Sequence, residues 1–199
     1  MDFDALRAAA SQRAAAPYRA PSADGALAGL ERARWRAAAL RPQRSPWSMV
    51  SRFVPLPLAP RAGCQSAQFN SIELGGIKRF DYRPELFDWP AAGLPAPGPT
   101  ASGFCGFRLL YPLEAVGTRD EIGRFEADAW QLVGAKQLPG ATALTVGVLG
   151  GDGRVQPVPF GEYWLVRPGA GAKQLRVYAL AESAALAAAF QIDIFPGVE

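Results

Sequence analysis

The spacing of apolar side chains changes character along this chain. Phe3 to Ala16 has the composition of a helix, with Asp2 or Asp4 placed to cap its N-terminus or complement its dipole, and Pro17 ends it. Ala26 to Leu40 predicts a second short helix, in which Leu27, Leu30 and Ala33 or Arg34 follow the i, i+3, i+4 spacing imperfectly. Neither helix is apolar enough to form the centre of a domain. From Arg41 the pattern becomes extended and is punctuated by Pro55, Pro57 and Pro60, which lack ladder donors, so any strand here belongs at a sheet edge.

Further on, two alternating runs in QFNSIELGGIKRFDY flank Gly75-Gly76 and predict a hairpin. Phe69, Ile72 and Leu74 would face Ile77 and Phe80 on one side only with an irregularity of register. The densest apolar run is Gly103 to Leu113, GFCGFRLLYPL, opened by glycines and closed by Pro112, and it predicts a buried central strand. The segment from Thr118 to Ala135 fits both a helix and a strand. Thr145 to Leu149 leads into Gly150-Gly151-Asp152-Gly153 as a second glycine-turn hairpin, with Asp152 as a turn residue. GEYWLVRPG, QLRVYALAES and AAFQIDIFPG are three more runs with period-2 character. Many short strands separated by turn signals predict a mainly β fold, an antiparallel β-sandwich or barrel. The expected organisation is a helical lead-in over residues 1–40 and a β domain over residues 41–199.

Composition narrows the function more than the fold. A chain of 199 residues with 49% hydrophobic and 20% charged side chains is an ordinary globular domain. No run approaches the roughly 20 apolar residues of a membrane-spanning helix. The opening MDFDALRAAASQRAAA lacks the apolar core of a secretory signal peptide. The net charge of +3 comes almost entirely from arginine, without a basic stripe interleaved with aromatics, which argues against a nucleic-acid partner.

Histidine is absent. Ser-His-Asp and Cys-His nucleophile systems therefore cannot be built, nor can the usual histidine-ligated zinc and iron sites, and the sequence calls for no cofactor. Cys64 and Cys105 form no CxxC motif, and Cys105, inside the apolar run, reads more naturally as a buried thiol than as half of a disulfide.

GFCGFRLLYPL, Asp120 to Ile122, GEYWLVRP, QLRVYALAES and FPG at Phe195 to Gly197 occur in an order and spacing that resemble the periplasmic glucan biosynthesis proteins of the G and D type. FDALRAAASQRAAAPYRAP and KRFDYRPELFDW are similar to that family's N-terminal region. The resemblance implies a periplasmic location, a role in osmoregulated periplasmic glucan synthesis, and part of a large sandwich similar to galactose mutarotase. Family members with known activity are similar to endo-acting β-1,2-glucanases, but the carboxylates thought to act there lie downstream of the matched region, beyond Glu199. Where the family has Gly-Ala-Ser-Tyr-Phe-Arg and Ser-Ala-Arg-Gly runs, this chain has EADAWQL and TALTVGV, and Val166 stands where a glutamate is expected.

A carbohydrate ligand needs aromatic faces for its rings and planar polar groups for its hydroxyls, which makes Trp130, Tyr163, Trp164 and Arg167 the candidate binding residues. Strand alternation sets Tyr163 and Leu165 on one face and Glu162, Trp164 and Val166 on the other, and core packing is the competing role for Trp164. Three functions follow: a non-catalytic module that binds β-glucan or a partner, a glucan hydrolase with a local dyad of Glu162 with Glu126 or Asp128, and a structural fragment whose open edge strands pair with a second protein chain.

Overall fold

The computed structural model describes residues 1–19, 37–60, 68–96, 103–113, 118–126, 129–132 and 143–196. Asp2 caps the helix α1 (Phe3–Ala14), its carboxylate accepting from the Ala5 N–H at 2.8 Å. Most of the predicted second helix lies outside the described residues. Its last two positions are extended, since Ala39 and Leu40 form isolated bridges to Leu58 and Phe87.

Twelve strands follow among the described residues: β1 (Val54–Pro57), β2 (Gln68–Glu73), β3 (Gly76–Phe80), β4 (Gly106–Tyr111), β5 (Asp120–Glu126), β6 (Ala129–Leu132), β7 (Ala143–Thr145), β8 (Gly147–Leu149), β9 (Val155–Pro157), β10 (Phe160–Val166), β11 (Leu175–Glu182) and β12 (Ala187–Ile194). They form one sheet in the order β1-β4-β5-β6-β7, a second in the order β12-β11-β10-β2-β3, and the separate hairpin β8-β9. Every pairing is antiparallel except β2 with β10, which is parallel. That exception joins strands far apart in sequence, and local patterning carries no information about it.

The proline-rich β1 takes the edge of the first sheet, where missing donors cost least, and the apolar β4 lies between it and β5. The segment that fits both helix and strand is strand over Asp120–Glu126 and Ala129–Leu132, as β5 and β6. In the β2-β3 hairpin Glu73 pairs with Gly76, so the two-residue loop is Leu74-Gly75, one position earlier than expected, with the positive φ of 110° at Gly76. Its register needs no irregularity. Phe69 pairs with Phe80 and Ile72 with Ile77, and these two pairs lie on opposite faces of the sheet.

The inner faces of the two sheets close over one core. Phe107 stacks on Phe125 with centroids 4.2 Å apart, and Tyr163 meets Phe107 edge-on at 5.2 Å across the sandwich. Leu109, Leu165, Val177 and Ala179 fill the space around these rings. Cys105 is buried in the same core as expected, but it is disulfide-bonded rather than a free thiol. Cys64, the chain's other cysteine, lies outside the described residues.

The outer face of the second sheet is partly covered along β10 and β11. Helix α1 lies on it, burying Leu6 and Ala10 against Trp164, Tyr178 and Leu180. The apolar contact is narrow, and Arg13 pins the end of the helix by pairing with Glu162 of β10 and with Glu182 of β11, the latter at 2.8 Å. Burial works against the Arg13 charge, but the two glutamates outweigh it and hold the guanidinium above its usual pKa.

Candidate functional site

The first sheet leaves its outer face to charged side chains. On β4, Phe107 and Leu109 point into the core, so Arg108 between them points out. On β5, Phe125 points in, so Arg124 and Glu126 point out. Arg108 and Arg124 are direct cross-strand partners, and two like charges in that relation repel. Glu121 resolves the conflict, accepting from Arg108 Nε at 2.6 Å and from Arg124 Nη2 at 2.6 Å and Nε at 2.9 Å.

Glu121 reaches this face because the register of β4 against β5 shifts between Leu109 and Leu110. Ile122 is the extra residue. It turns into the core, and Glu121 is carried to the side on which the arginines stand. At the other end of the pair, Gly106 has a φ of 110° and lies opposite Glu126. A Cβ there would sit 1.7 Å from the carbonyl oxygen of Phe125, so only glycine permits this approach of β4 to β5.

Arg108, Arg124 and Glu126 line a cavity of about 260 Å³ with Leu58 and Ala37. Glu126 is 8% exposed, and its carboxylate lies 4.0 Å from Arg124 Nη1. The site therefore presents fixed, partly desolvated donors and acceptors beside a small apolar wall. Such a surface can give hydrogen bonds to hydroxyl groups and take them in return.

The four residues expected to bind carbohydrate do not share one surface. Trp130 is on β6 in the main core, its ring 5.6 Å from Phe125, and Tyr163 reaches the same phenylalanine from the second sheet at 6.1 Å. Trp164 occupies the other face of β10, beneath α1, as alternation requires. Arg167 follows β10 and remains accessible, paired with Glu73 at 3.4 Å. It lines a groove of about 600 Å³ at the end of the second sheet. Asp128 lies outside the described residues.

Arg108, Glu121 and Arg124 were not singled out by sequence reading. The available signal was Arg108 itself, the one charge in the apolar run GFRLLY. A charge kept there implies that the strand has an outward face with a polar partner.

A two-sheet sandwich with a charged outer face defines a class of β-domain. Family membership is settled by sequence: the chain belongs to the family described as "Periplasmic glucan biosynthesis protein, MdoG", which it matches over residues 1–199. It is 39% identical over 126 residues to "Glucans biosynthesis protein D 1" of Ralstonia nicotianae, covering 62% of this chain and 23% of that protein. It is 31% identical over 133 residues to "Glucans biosynthesis protein G" of Pectobacterium carotovorum, covering 65% of this chain and 25% of the relative. With "Glucans biosynthesis protein G" of Rhodopseudomonas palustris it shares 29% identity over 206 residues, 99% of this chain and 40% of the relative. In these comparisons the chain spans between about a quarter and two fifths of the relatives' length.

Proposed function

We propose that this chain acts in osmoregulated periplasmic glucan biosynthesis by binding β-1,2-linked glucan without cleaving it. The observation that carries the reading is the outward row of Arg108, Glu121 and Arg124 on β4 and β5, with Glu126 beside it at the cavity. Planar guanidinium and carboxylate groups held at fixed distances suit the alternating hydroxyls of a sugar chain. Trp130 and Tyr163 serve this face from below, through the Phe125 ring that fixes β5, while Arg167 offers a separate accessible donor. The family name supports both the periplasmic location and the glucan.

The test is a titration of linear β-1,2-glucan into the purified chain, following tryptophan fluorescence and reducing-end release in one sample. Saturable fluorescence change without new reducing ends is the expected outcome. Loss of that change in Arg108→Ala and Arg124→Ala would assign it to this face. New reducing ends would establish a hydrolase instead.

A second reading, pairing with another protein chain, rests on β12. Among the described residues this strand is an edge of the second sheet, runs eight residues and carries no charge before Asp193. Uncharged edges of that length invite strand addition. A concentration-independent monomer that no added strand enlarges would reject it.

A further inference from the structure

At one end of the second sheet, large aliphatic side chains stand in solvent. Leu74, in the loop of the β2-β3 hairpin, is 112% exposed, more than in an extended reference peptide, and Met49, in the turn before β1, is 88% exposed. Val50 and Ile77 are each close to half exposed. Two of these, Val50 and Leu74, line the groove of about 600 Å³ together with Ile72, Val166 and Pro168, and Glu73 and Arg167 add a charged pair to its wall.

Cations ring this end. Lys78 and Arg167 both pair with the single carboxylate of Glu73, at 2.7 and 3.4 Å, which leaves one positive charge over. Arg119 donates to the Ser48 carbonyl at 3.2 Å, directly beside Met49, and Arg52 lies over the Tyr111 ring at 4.6 Å and donates to the Pro112 carbonyl at 3.5 Å. Acidic side chains at this end, among the described residues, include Glu73, Asp120 and Asp193, the last of them paired with Arg176 at 2.8 Å. Asp120 is occupied by the Leu113 N–H at 3.0 Å and the Thr118 hydroxyl at 3.0 Å.

We propose that this end of the sandwich docks on an anionic lipid surface, with Met49 and Leu74 entering the headgroup layer and Lys78, Arg167, Arg119 and Arg52 facing lipid phosphates. Two features favour a bilayer over a folded protein as the occupant. The apolar groups project from turn tips instead of forming a flat face, which suits a soft interface that parts around them. The surplus charge is positive and peripheral, which complements anionic headgroups. Binding of this kind is reversible, because a few aliphatic tips with a handful of cations fall short of a permanent anchor.

The experiment is co-sedimentation of the intact chain with vesicles of phosphatidylglycerol and phosphatidylcholine, and with phosphatidylcholine alone. The chain is expected to pellet with the anionic vesicles, less so at high salt. The double variant Met49→Ser, Leu74→Ser should partition at least about tenfold more weakly while melting like the parent, since both residues are exposed. No sedimentation with anionic vesicles would overturn the proposal, as would sedimentation that the double variant leaves unchanged. A dimer in solution that the double variant dissociates, without vesicle binding, would mark the surface as a contact between two copies and equally reject a lipid role.

Discussion

Glu126 and Glu162 point away from each other on opposite outer faces of the sandwich. Glu126 lies with Arg124 at the cavity on the first sheet, and Glu162 lies under α1 with Arg13 on the second. The sheets of a sandwich pack about 10 Å apart, so two carboxyls directed outward from them are separated by more than the roughly 5 to 9.5 Å over which a glycosidase pair operates.

Glu162→Gln and Glu126→Gln should therefore act independently. The first is expected to loosen α1 by no more than about 1 kcal/mol, because Arg13 is half exposed and its ion pairs are screened. The second should weaken only what binds at the first sheet. Melting curves and glucan titrations of both single variants and the double variant would reveal any coupling, and a large coupling would contradict the placement.

Leu6 is fully buried where α1 meets Trp164 and Tyr178. Leu6→Ala should cost about 2 to 5 kcal/mol of the helix's attachment. Tryptophan emission should shift to longer wavelength as Trp164 becomes wet, with the main core still folded. Unchanged emission would mean that α1 stays seated without its anchor.

Gly106→Ala combines an unfavourable φ of 110° with a Cβ 1.7 Å from a backbone oxygen. Neither atom can yield without separating β4 from β5. The expected loss exceeds about 4 kcal/mol, enough to prevent recovery of folded protein, whereas Gly151→Ala, with open space around it, should be nearly silent.

Cys105 should give no thiol reaction in the folded, oxidised protein. Reduction, or Cys105→Ala, is expected to lower stability by about 2 to 5 kcal/mol. Rapid labelling of the native chain by a thiol reagent would contradict this.

Acid should weaken the fold slightly through Asp193 and Glu73. A hydrogen bond from Arg176 holds Asp193 below its ordinary 3.8, and one from Lys78 holds Glu73 below its ordinary 4.5. Both carboxyls bind protons less readily folded than unfolded, so their stabilisation is full above about pH 5 and is lost as pH falls through their lowered folded values. These two groups should lower the melting temperature modestly as pH falls below about 4, and the part due to Asp193 should vanish in Asp193→Asn.

Much of the β architecture was legible in local pattern. The hairpin around Gly76, the edge position of β1 and the three strands after Phe160 follow from alternation, proline chemistry and turn residues. The site was legible only in part. Alternation separated Tyr163 from Trp164, but which side would be closed by the other sheet and which by α1 depended on partners elsewhere in the chain.

The sequence by itself therefore determined where strands run and which residues share a face, because both depend on neighbours a few positions away. Tertiary structure alone decided the parallel pairing of β2 with β10, the covering of Trp164 by a helix more than 140 residues earlier, and the meeting of Arg108 with Glu121 and Arg124 across a one-residue bulge. These are non-local contacts, formed only when burial of the shared core offsets the entropy of closing long loops, and no periodicity within a strand encodes them.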